Sequence, residues 1–594
     1  MTSTPKRIRR WPASVAAGLL LAGGLAGTAL AQRPSAPRLL PDTTVALVSV
    51  ADGPEMARRL MNTAMGRMSQ DPQLKPLVGH LYGSLSQAVA EVQDKIGLSL
   101  PELLALPQGE IALAVVAPAE APPAFVALLD TGNQLSKANR LLDRLTARLE
   151  ESGAAKLEQA FAGTKLVIYE RVGPGGEKLS FFEKDATFVI GSNPEVLKQI
   201  LTVWNGGKGK TIANNPNFAA IMQRCGGAGS DKPQVILYAD PIGIMRAIGQ
   251  ENTSVRVAVA MLPVLGLDGL TGVGGSLALD TAQFDSVTHA HVLLGTPRSG
   301  IIKMIALQSG DSEPERWVPA DVASYTTFHW NVSQTHKELT TLYDSFNGAG
   351  AFSELLRQRF LQPTGIDVEK ELLPALDGRV TLITWIERPV TPQSQTWLMA
   401  LKLKNTAVFQ QAVEKLSSRP EAWFERQIWA GKTYYQVRMS FPPDLPPERR
   451  PPLPCFGILD DYLLVSSRAS LYQKVVSTLA EGSESLAGDP EFKLIAGKIR
   501  RQSGGGNPAL LTFSRPEETV RWLYELAVSE QTRQGLNQQA ENNRLFRALS
   551  SALKENPLPP FAVLRRYLAP GGAMVVDDPT GLHYMSFTLR RETD

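Results

Sequence analysis

The sequence predicts an α+β protein made of a tandem duplication, in which each unit has a mainly antiparallel sheet covered by helices on one face. Two observations predict this class. Strand-like and helix-like segments follow one another in the same order over residues 41–307 and over residues 317–594. Short apolar runs bounded by turn residues indicate strands, while prolines beside capping residues indicate helix starts. Two unrelated domains would have to produce that order twice, so a duplication is favoured.

The repeat keeps a constant spacing through the middle of each unit. Ser192 and Ser467 each follow a strand-like run and lie 275 residues apart, and the same spacing separates Pro241 from Pro516. Further out, the spacing is 269 from Gly109 to Gly378 and 297 from Gly275 to Gly572. Differences of this size are expected where loops differ in length. We therefore predict a linker at 32–40, the first unit at 41–307, a second linker at 308–316 and the second unit at 317–594.

The elements of the first unit can be placed in order. Strands are expected at 45–50, 110–116, 125–129, 165–170, 178–183 and 186–191. Helical spacing covers 54–97 with a break at Asp71, and an apolar stripe from Leu135 to Leu149 predicts a helix capped by Asn133. A hairpin is expected over 274–294.

Three further helix starts are marked by capping residues. Ser192 with Glu195 has the spacing of a capping box, and a proline follows Asn215 and Asp240 directly. Proline suits the first turn of a helix because its missing N–H would have no partner there. We therefore expect helices to begin at these three positions.

Two segments remain ambiguous in the sequence. Residues 257–279 carry only Asp268 as a charge, but the counterpart in the second unit contains Arg565 and Arg566, so a buried helix and strand are favoured over a membrane span. The segment 441–454 contains seven prolines. It could dock into a partner as polyproline II, or it could form a stiff hairpin tip.

The N-terminus has the pattern of a secretory signal peptide over residues 1–31. Four basic residues precede an apolar stretch, and Ala29-Leu30-Ala31 predicts cleavage between Ala31 and Gln32. The alternative is an uncleaved anchor, which would be the chain's one attachment to a membrane. We therefore expect an exported protein of the periplasm, the cell envelope or the extracellular space.

Charge and cysteine content exclude some classes of function. The net charge is +3, and removing the four basic residues of 1–31 leaves −1, so nucleic-acid binding is not expected. The two cysteines, Cys225 and Cys455, lie at non-equivalent positions of the two units. They could form one bridge between units or remain as thiols, and no disulfide framework supports the fold.

Catalytic and metal signatures are incomplete. Residues 206–211 resemble a phosphate-binding loop but lack its first glycine and lie between two helices. Ser551 and Lys554 have the spacing of penicillin-recognising enzymes without the partner motifs. His289 and His291 would share one face of a strand, which we interpret as an exposed face because no third ligand is evident. We therefore predict no catalytic residue, no metal ligand and no cofactor.

The chain resembles a known exported bacterial family, catalogued as domain of unknown function 3352. The resemblance rests on the opening Leu40-Pro41-Asp42-Thr43-Thr44-Val45-Ala46-Leu47-Val48 and on Asp489-Pro490-Glu491-Phe492. It implies export and a duplicated α+β body over nearly the whole mature chain. Since the family has no established activity, the resemblance implies no functional residue.

Three functions are compatible with these observations. The first is a non-enzymatic interaction or scaffold protein that binds an unknown protein partner. The second is a carrier for an apolar ligand held between helices and sheet or between the units. The third is a hydrolase whose site residues are too dispersed in sequence to recognise.

Overall fold

The computed structural model describes most of the chain after the predicted signal peptide. The described residues are 33–76, 78–79, 102, 105–171, 178–226, 232–419, 423–442, 450–482, 484–530, 550–551 and 554–591. The predicted signal peptide, its cleavage site between Ala31 and Gln32, and residues 80–97 of the predicted helical segment lie outside this part of the chain.

Twenty-one strands are described. The first ten are β1 Thr44–Val50, β2 Ile111–Val116, β3 Ala124–Asp130, β4 Ala154–Phe161, β5 Thr164–Arg171, β6 Lys178–Lys184, β7 Thr187–Gly191, β8 Val235–Ala239, β9 Leu270–Leu279 and β10 Phe284–Leu294. The short β11 Leu307–Gln308 follows. The last ten are β12 Ser324–Trp330, β13 Leu376–Ile386, β14 Gln395–Leu403, β15 Phe424–Trp429, β16 Lys432–Val437, β17 Cys455–Leu459, β18 Tyr462–Ser466, β19 Leu510–Ser514, β20 Gly571–Asp578 and β21 Gly581–Leu589.

The described α-helices fall between these strands. In the first part of the chain they are α1 Gly53–Asn62, α2 Ala64–Gln70, α3 Leu135–Glu151, α4 Pro194–Trp204, α5 Pro216–Cys225, α6 Pro241–Gly249, α7 Thr253–Leu265 and α8 Gly300–Met304. In the second part they are α9 Val332–Asn347, α10 Ala351–Leu356, α11 Gln362–Thr364, α12 Thr406–Ser417, α13 Ala469–Glu481, α14 Pro490–Gln502, α15 Pro516–Val528 and α16 Phe561–Arg565. Two π-helical turns lie at Arg357–Leu361 and Val368–Leu372.

All strands belong to one antiparallel sheet, and its order repeats. From one edge to the middle, the order is β4-β5-β6-β7-β3-β2-β1-β8-β9-β10. From the other edge, it is β15-β16-β17-β18-β14-β13-β12-β19-β20-β21. We call β1–β10 half 1 and β12–β21 half 2. The pairing of β10 with β21, which we call the seam, joins the two halves.

The α+β class with an antiparallel sheet is confirmed, but helices lie on both faces of the sheet. Leu166 and Ile168 of β5 join the core beneath α4 and α5, whereas Val167 and Tyr169 pack against Leu142 and Leu149 of α3. Successive residues of a strand point to opposite faces, so α3 lies on the face opposite α4 and α5. In half 2, α13 and α14 pack on one face and α12 on the other. The expectation of helices on one face only was therefore wrong.

A buried ion pair anchors the segment that precedes the first strand of each half. In half 1, Glu110, the residue directly before β2, lies 3.0 Å from the guanidinium of Arg33 and accepts the backbone N–H of Ala36. In half 2, Arg379 of β13 lies 3.2 Å from Glu315. Glu110 follows Gly109 and Arg379 follows Gly378, so the two pairs occupy matching positions with opposite polarity.

The helix starts were predicted with partial success. The side chains of Asn215 and Asp240 cap α5 and α6 as expected. Asn193, and not Ser192, caps α4, while the hydroxyl of Ser192 accepts the N–H of Phe125 and so ties α4 to the sheet.

Two other helix expectations were wrong. Asn133 lies in a 3-10 turn before α3 and does not cap the helix. Helix α7 is mostly exposed, with only Leu262 buried, whereas a buried helix was expected there. Within the described part of the chain, no helix is long and apolar enough to cross a membrane.

Candidate functional site

The sheet of half 1 exposes an apolar patch on the face that carries α3. We call it the open strip, and it comprises Val48, Leu113, Val115, Phe125 and Leu237. Their side chains are 36% to 57% exposed, although alternate residues of the same strands are buried. Large apolar side chains that are exposed together on neighbouring strands are unusual on a soluble surface and mark interaction sites.

Strand register makes the open strip continuous across four strands. Leu237 of β8 lies opposite Val48 of β1, and Val48 lies opposite Leu113 of β2. Val115 of β2 lies opposite Phe125 of β3. Because side chains of directly opposed residues on one face touch, these five residues form one surface about 14 Å wide across the strands.

The matching face of half 2 is more polar. The positions that correspond by strand register to Val48, Val115 and Leu237 hold Thr326, Thr384 and Thr512. Thr326 and Thr512 form a hydrogen bond of 3.0 Å, and Thr384 forms one of 2.6 Å with Ser324. Only Leu382 and Trp397 keep the apolar character of their counterparts, Leu113 and Phe125.

An open cavity borders the strip beside the C-terminal end of α3. It measures about 980 Å³, and Phe125 belongs both to its wall and to the open strip. Its other apolar lining residues include Pro122, Pro123, Leu149, Tyr169 and Leu179. The Tyr169 hydroxyl donates to Glu150 at 2.8 Å, and Lys178 pairs with Glu170 at 3.3 Å. An apolar molecule lying on the strip could therefore extend into a partly polar cavity.

Three histidines meet at the seam on the other face of the sheet, in a group that we call the histidine cluster. His291 of β10 lies directly opposite His583 of β21, and the Nδ1 atom of His289 lies 3.2 Å from the Nε2 atom of His583. His291 is fully buried and His583 is 8% exposed. The cluster therefore lies at the point where the two halves join.

The placement of His289 and His291 was predicted in part. Both side chains share one face of a strand, as expected, but that face is buried because β21 pairs with β10 and α5 packs over it. His583 was missed because it lies in the other half of the sequence. Its position opposite His291 follows only from the pairing of the two final strands.

Other predicted sites remain separate. Residues 206–211 connect α4 to the short turn before α5, as expected, so no strand leads into this glycine-rich segment. Cys225 and Cys455 are both buried free thiols, and burial raises the pKa of each to about 12. Among the described residues, no group of three or more His, Cys, Asp or Glu side chains is arranged to hold a metal ion.

Comparison with known proteins finds a similarity over part of the chain. The family model described as "Protein of unknown function (DUF3352)" matches residues 348–550. No curated protein and no solved structure matches the chain. The resemblance inferred from the sequence is confirmed, over a shorter span than expected and within half 2. Over residues 348–550 the chain is therefore similar to a protein family of unknown function.

Proposed function

We propose that this protein is an exported, non-enzymatic protein that acts by binding an apolar surface of a partner through the open strip. The observation that carries this proposal is the set of five exposed apolar side chains on four adjacent strands of half 1. Covering a half-exposed leucine or phenylalanine contributes about 1 kcal/mol of favourable free energy. The strip therefore offers several kcal/mol to a partner of matching shape.

Export is supported by the signal-peptide pattern of residues 1–31. In the native host, we expect the mature chain to begin at Gln32 and to be recovered from the periplasmic or extracellular fraction. N-terminal sequencing of the purified protein tests this expectation. A chain that retains Met1 and fractionates with membranes would contradict cleavage and would favour an anchor.

Tandem duplication is supported by the strand order and by hydrogen bonds that recur at matching positions. Ser192 and Ser467 each accept the N–H of an exposed aromatic residue, Phe125 at 3.1 Å and Trp397 at 3.0 Å. The isolated bridge between Pro41 and Thr211 corresponds to that between Pro319 and Ser485. Unrelated domains would not be expected to share such details, and we propose that binding developed in one copy of the duplicated scaffold.

Substitution within the strip tests the proposed binding surface. Leu113→Asp places a charge in the middle of the strip, and the side chain of Leu113 is 57% exposed, so folding should tolerate the change. The matched control is Leu157→Asp on the edge strand β4, where the leucine is 60% exposed and outside the strip. We expect 1-anilinonaphthalene-8-sulfonate to bind the wild type and the control equally, and the strip variant several-fold more weakly. Equal binding to all three proteins would refute the proposal.

A carrier of an apolar ligand is the second candidate function, favoured by the cavity that borders the strip at Phe125. Such a ligand would lie on the strip and enter the cavity between Leu149 and Leu179. Native mass spectrometry of the protein purified from its own host distinguishes the two candidates. A bound lipid that is lost in Leu113→Asp and kept in Leu157→Asp would support the carrier. A stoichiometric protein partner with the same dependence would support the interaction protein.

A further inference from the structure

The histidine cluster leaves two buried ring nitrogens without partners. The Nδ1 atoms of His291 and His583 are buried and have no hydrogen-bond partner. Buried polar atoms are nearly always paired, so these two require an explanation. Both belong to side chains on the paired strands that join the halves.

The neighbouring contacts indicate which nitrogens carry protons. The Nε2 atom of His291 lies 3.3 Å from the Thr580 hydroxyl, and that hydroxyl donates to Asp578 at 2.6 Å. The Nε2–H group of His291 therefore donates to Thr580, and Nδ1 holds a lone pair. In the same way, an Nε2–H group on His583 that donates to His289 leaves the Nδ1 lone pair of His583 unprotonated. A buried lone pair without a donor costs less free energy than a buried N–H group without an acceptor. The neutral form of both rings therefore fits the site.

Protonation would add two unfavourable features to this arrangement. Each new Nδ1–H would point into a buried space without an acceptor, and the positive charge would lie beside two other imidazoles. Positive charge already faces the cluster from α5, where Arg224 forms an ion pair with Asp578.

The other charged groups near the seam are engaged elsewhere. Beyond the cluster, Arg298 pairs with Asp577 at 2.6 Å and Arg590 pairs with Asp280 at 2.5 Å. Arg67 lies 3.9 Å from Asp285, and Lys498 of α14 lies over the ring of Phe284. Asp578, the carboxylate that Thr580 links to His291, is already held by Arg224 and Thr580. Protonated histidines would therefore have no free counter-ion among the described residues.

We propose that the histidine cluster makes the seam sensitive to protons. Neutral imidazoles allow β10 to pair with β21 at neutral pH, and acid loosens this junction while the sheet of each half stays intact. An open seam exposes the three rings to water, where they take up protons freely. Acid therefore shifts the equilibrium towards the open junction.

The expected size of the effect follows from the energetics of His583. Burial lowers the pKa of His583 to about 4, with further contributions from His289, Arg224 and His291. Burial also lowers the pKa of His289 and of His291. With an ordinary pKa of about 6.5 in the open state, His583 alone favours opening about 20-fold more at pH 5 than at pH 7.

Hydrogen exchange followed by mass spectrometry on the full chain tests the proposal. Protection factors, corrected for intrinsic exchange rates, are compared at pH 7 and pH 5. We expect protection of β10 and β21 to fall about 20-fold, whereas β1 and β2, which contain no histidine, keep theirs. A seam whose protection changes no more than that of β1 and β2 would overturn the proposal.

Two further measurements distinguish protonation of the histidine cluster from other causes of a change in protection at the seam. His583→Gln should abolish most of the pH dependence at the seam, while His336→Gln, a histidine of α9 outside the cluster, should leave it unchanged. If His583→Gln does not fold, the wild-type comparison still decides the question. Zinc added at pH 7 should not alter seam protection, and a tenfold increase that the chelator EDTA reverses would overturn the proposal in favour of a metal site.

Discussion

The two halves place a buried ion pair at the same point of the same strand order and reverse its polarity. In half 1 the acidic residue, Glu110, lies directly before strand β2, and the basic residue, Arg33, lies on the segment that precedes β1. Half 2 has the base on the strand, Arg379, with Glu315 on the preceding segment. Both halves therefore hold the preceding segment by a buried ion pair at the same position, and only the sign of the charge on each side differs.

The open faces of the halves differ in a second way. Val48 and Leu237 of half 1 correspond to Thr326 and Thr512 of half 2, which satisfy each other by a hydrogen bond. A face with paired hydroxyls can remain in water at little cost, whereas an apolar face gains free energy when covered. The difference shows that the halves share a strand order and differ in the chemistry of their open faces.

The largest expected effect on stability comes from removing Arg379, the basic residue of the buried ion pair in half 2. Arg379→Ala leaves Glu315, which is 6% exposed, as a buried charge without its partner. We expect the free energy of unfolding to fall by about 3–5 kcal/mol. Denaturant unfolding of the full chain measures the change. The control Arg388→Ala, at an exposed pair with Glu518, should cost about 1 kcal/mol or less. Equal losses of unfolding free energy in the two variants would contradict the view that Arg379 anchors the preceding segment.

The seam should give the next largest effect, as a dependence on pH. The folded-state pKa of His583, about 4, lies below its ordinary value of about 6.5. The contribution of neutral His583 to the free energy of unfolding is therefore fully present above pH 6.5. This contribution, about 3 kcal/mol, is lost as the pH falls towards 4. Unfolding free energies of the wild type and His583→Gln at pH 7 and pH 4.5 measure this loss. If the unfolding free energy falls equally between pH 7 and pH 4.5 in both proteins, the acid sensitivity comes from the carboxylates and not from His583.

A smaller effect is expected from the anchor of half 1. Glu110→Ala removes a carboxylate that binds Arg33, the Ala36 N–H and the Ser49 hydroxyl. The released Arg33 side chain, 11% exposed, is carried on a segment before the first strand and can reach water more easily than Glu315. We expect a loss of about 2 kcal/mol, measured by denaturant unfolding. A loss larger than that of Arg379→Ala would reverse the comparison of the two anchors.

Local sequence patterns predicted much of the scaffold. The sequence identified the caps Asn215 and Asp240 and the hairpin over 274–294. These features form between residues that are close together in the chain, so a short stretch of sequence is enough to predict them. Edge strand β4 was missed because Lys156, Glu158 and Gln159 are exposed and no alternating apolar pattern marks the strand.

Long-range features were not accessible in the same way. The pairing of His291 with His583 and of Glu110 with Arg33 depends on which strands become neighbours. The sequence also did not reveal the open strip. Val48 and Leu113 belong to strands whose other face is buried, and an apolar residue in such a strand normally indicates the hydrophobic core. The sheet order and the exposure of these side chains together show that, within the described part of the chain, this face of half 1 is uncovered at these positions.

Exchanging residues between the two open faces tests most directly whether binding belongs to half 1. The triple variant Val48→Thr, Val115→Thr and Leu237→Thr gives half 1 the residues of half 2, and the triple variant Thr326→Val, Thr384→Val and Thr512→Leu does the reverse. Binding of 1-anilinonaphthalene-8-sulfonate is measured for both variants after circular dichroism confirms folding. We predict that the first variant loses most of the binding and that the second gains a new site. Unchanged binding in the first variant would contradict the assignment of the open strip as the binding surface.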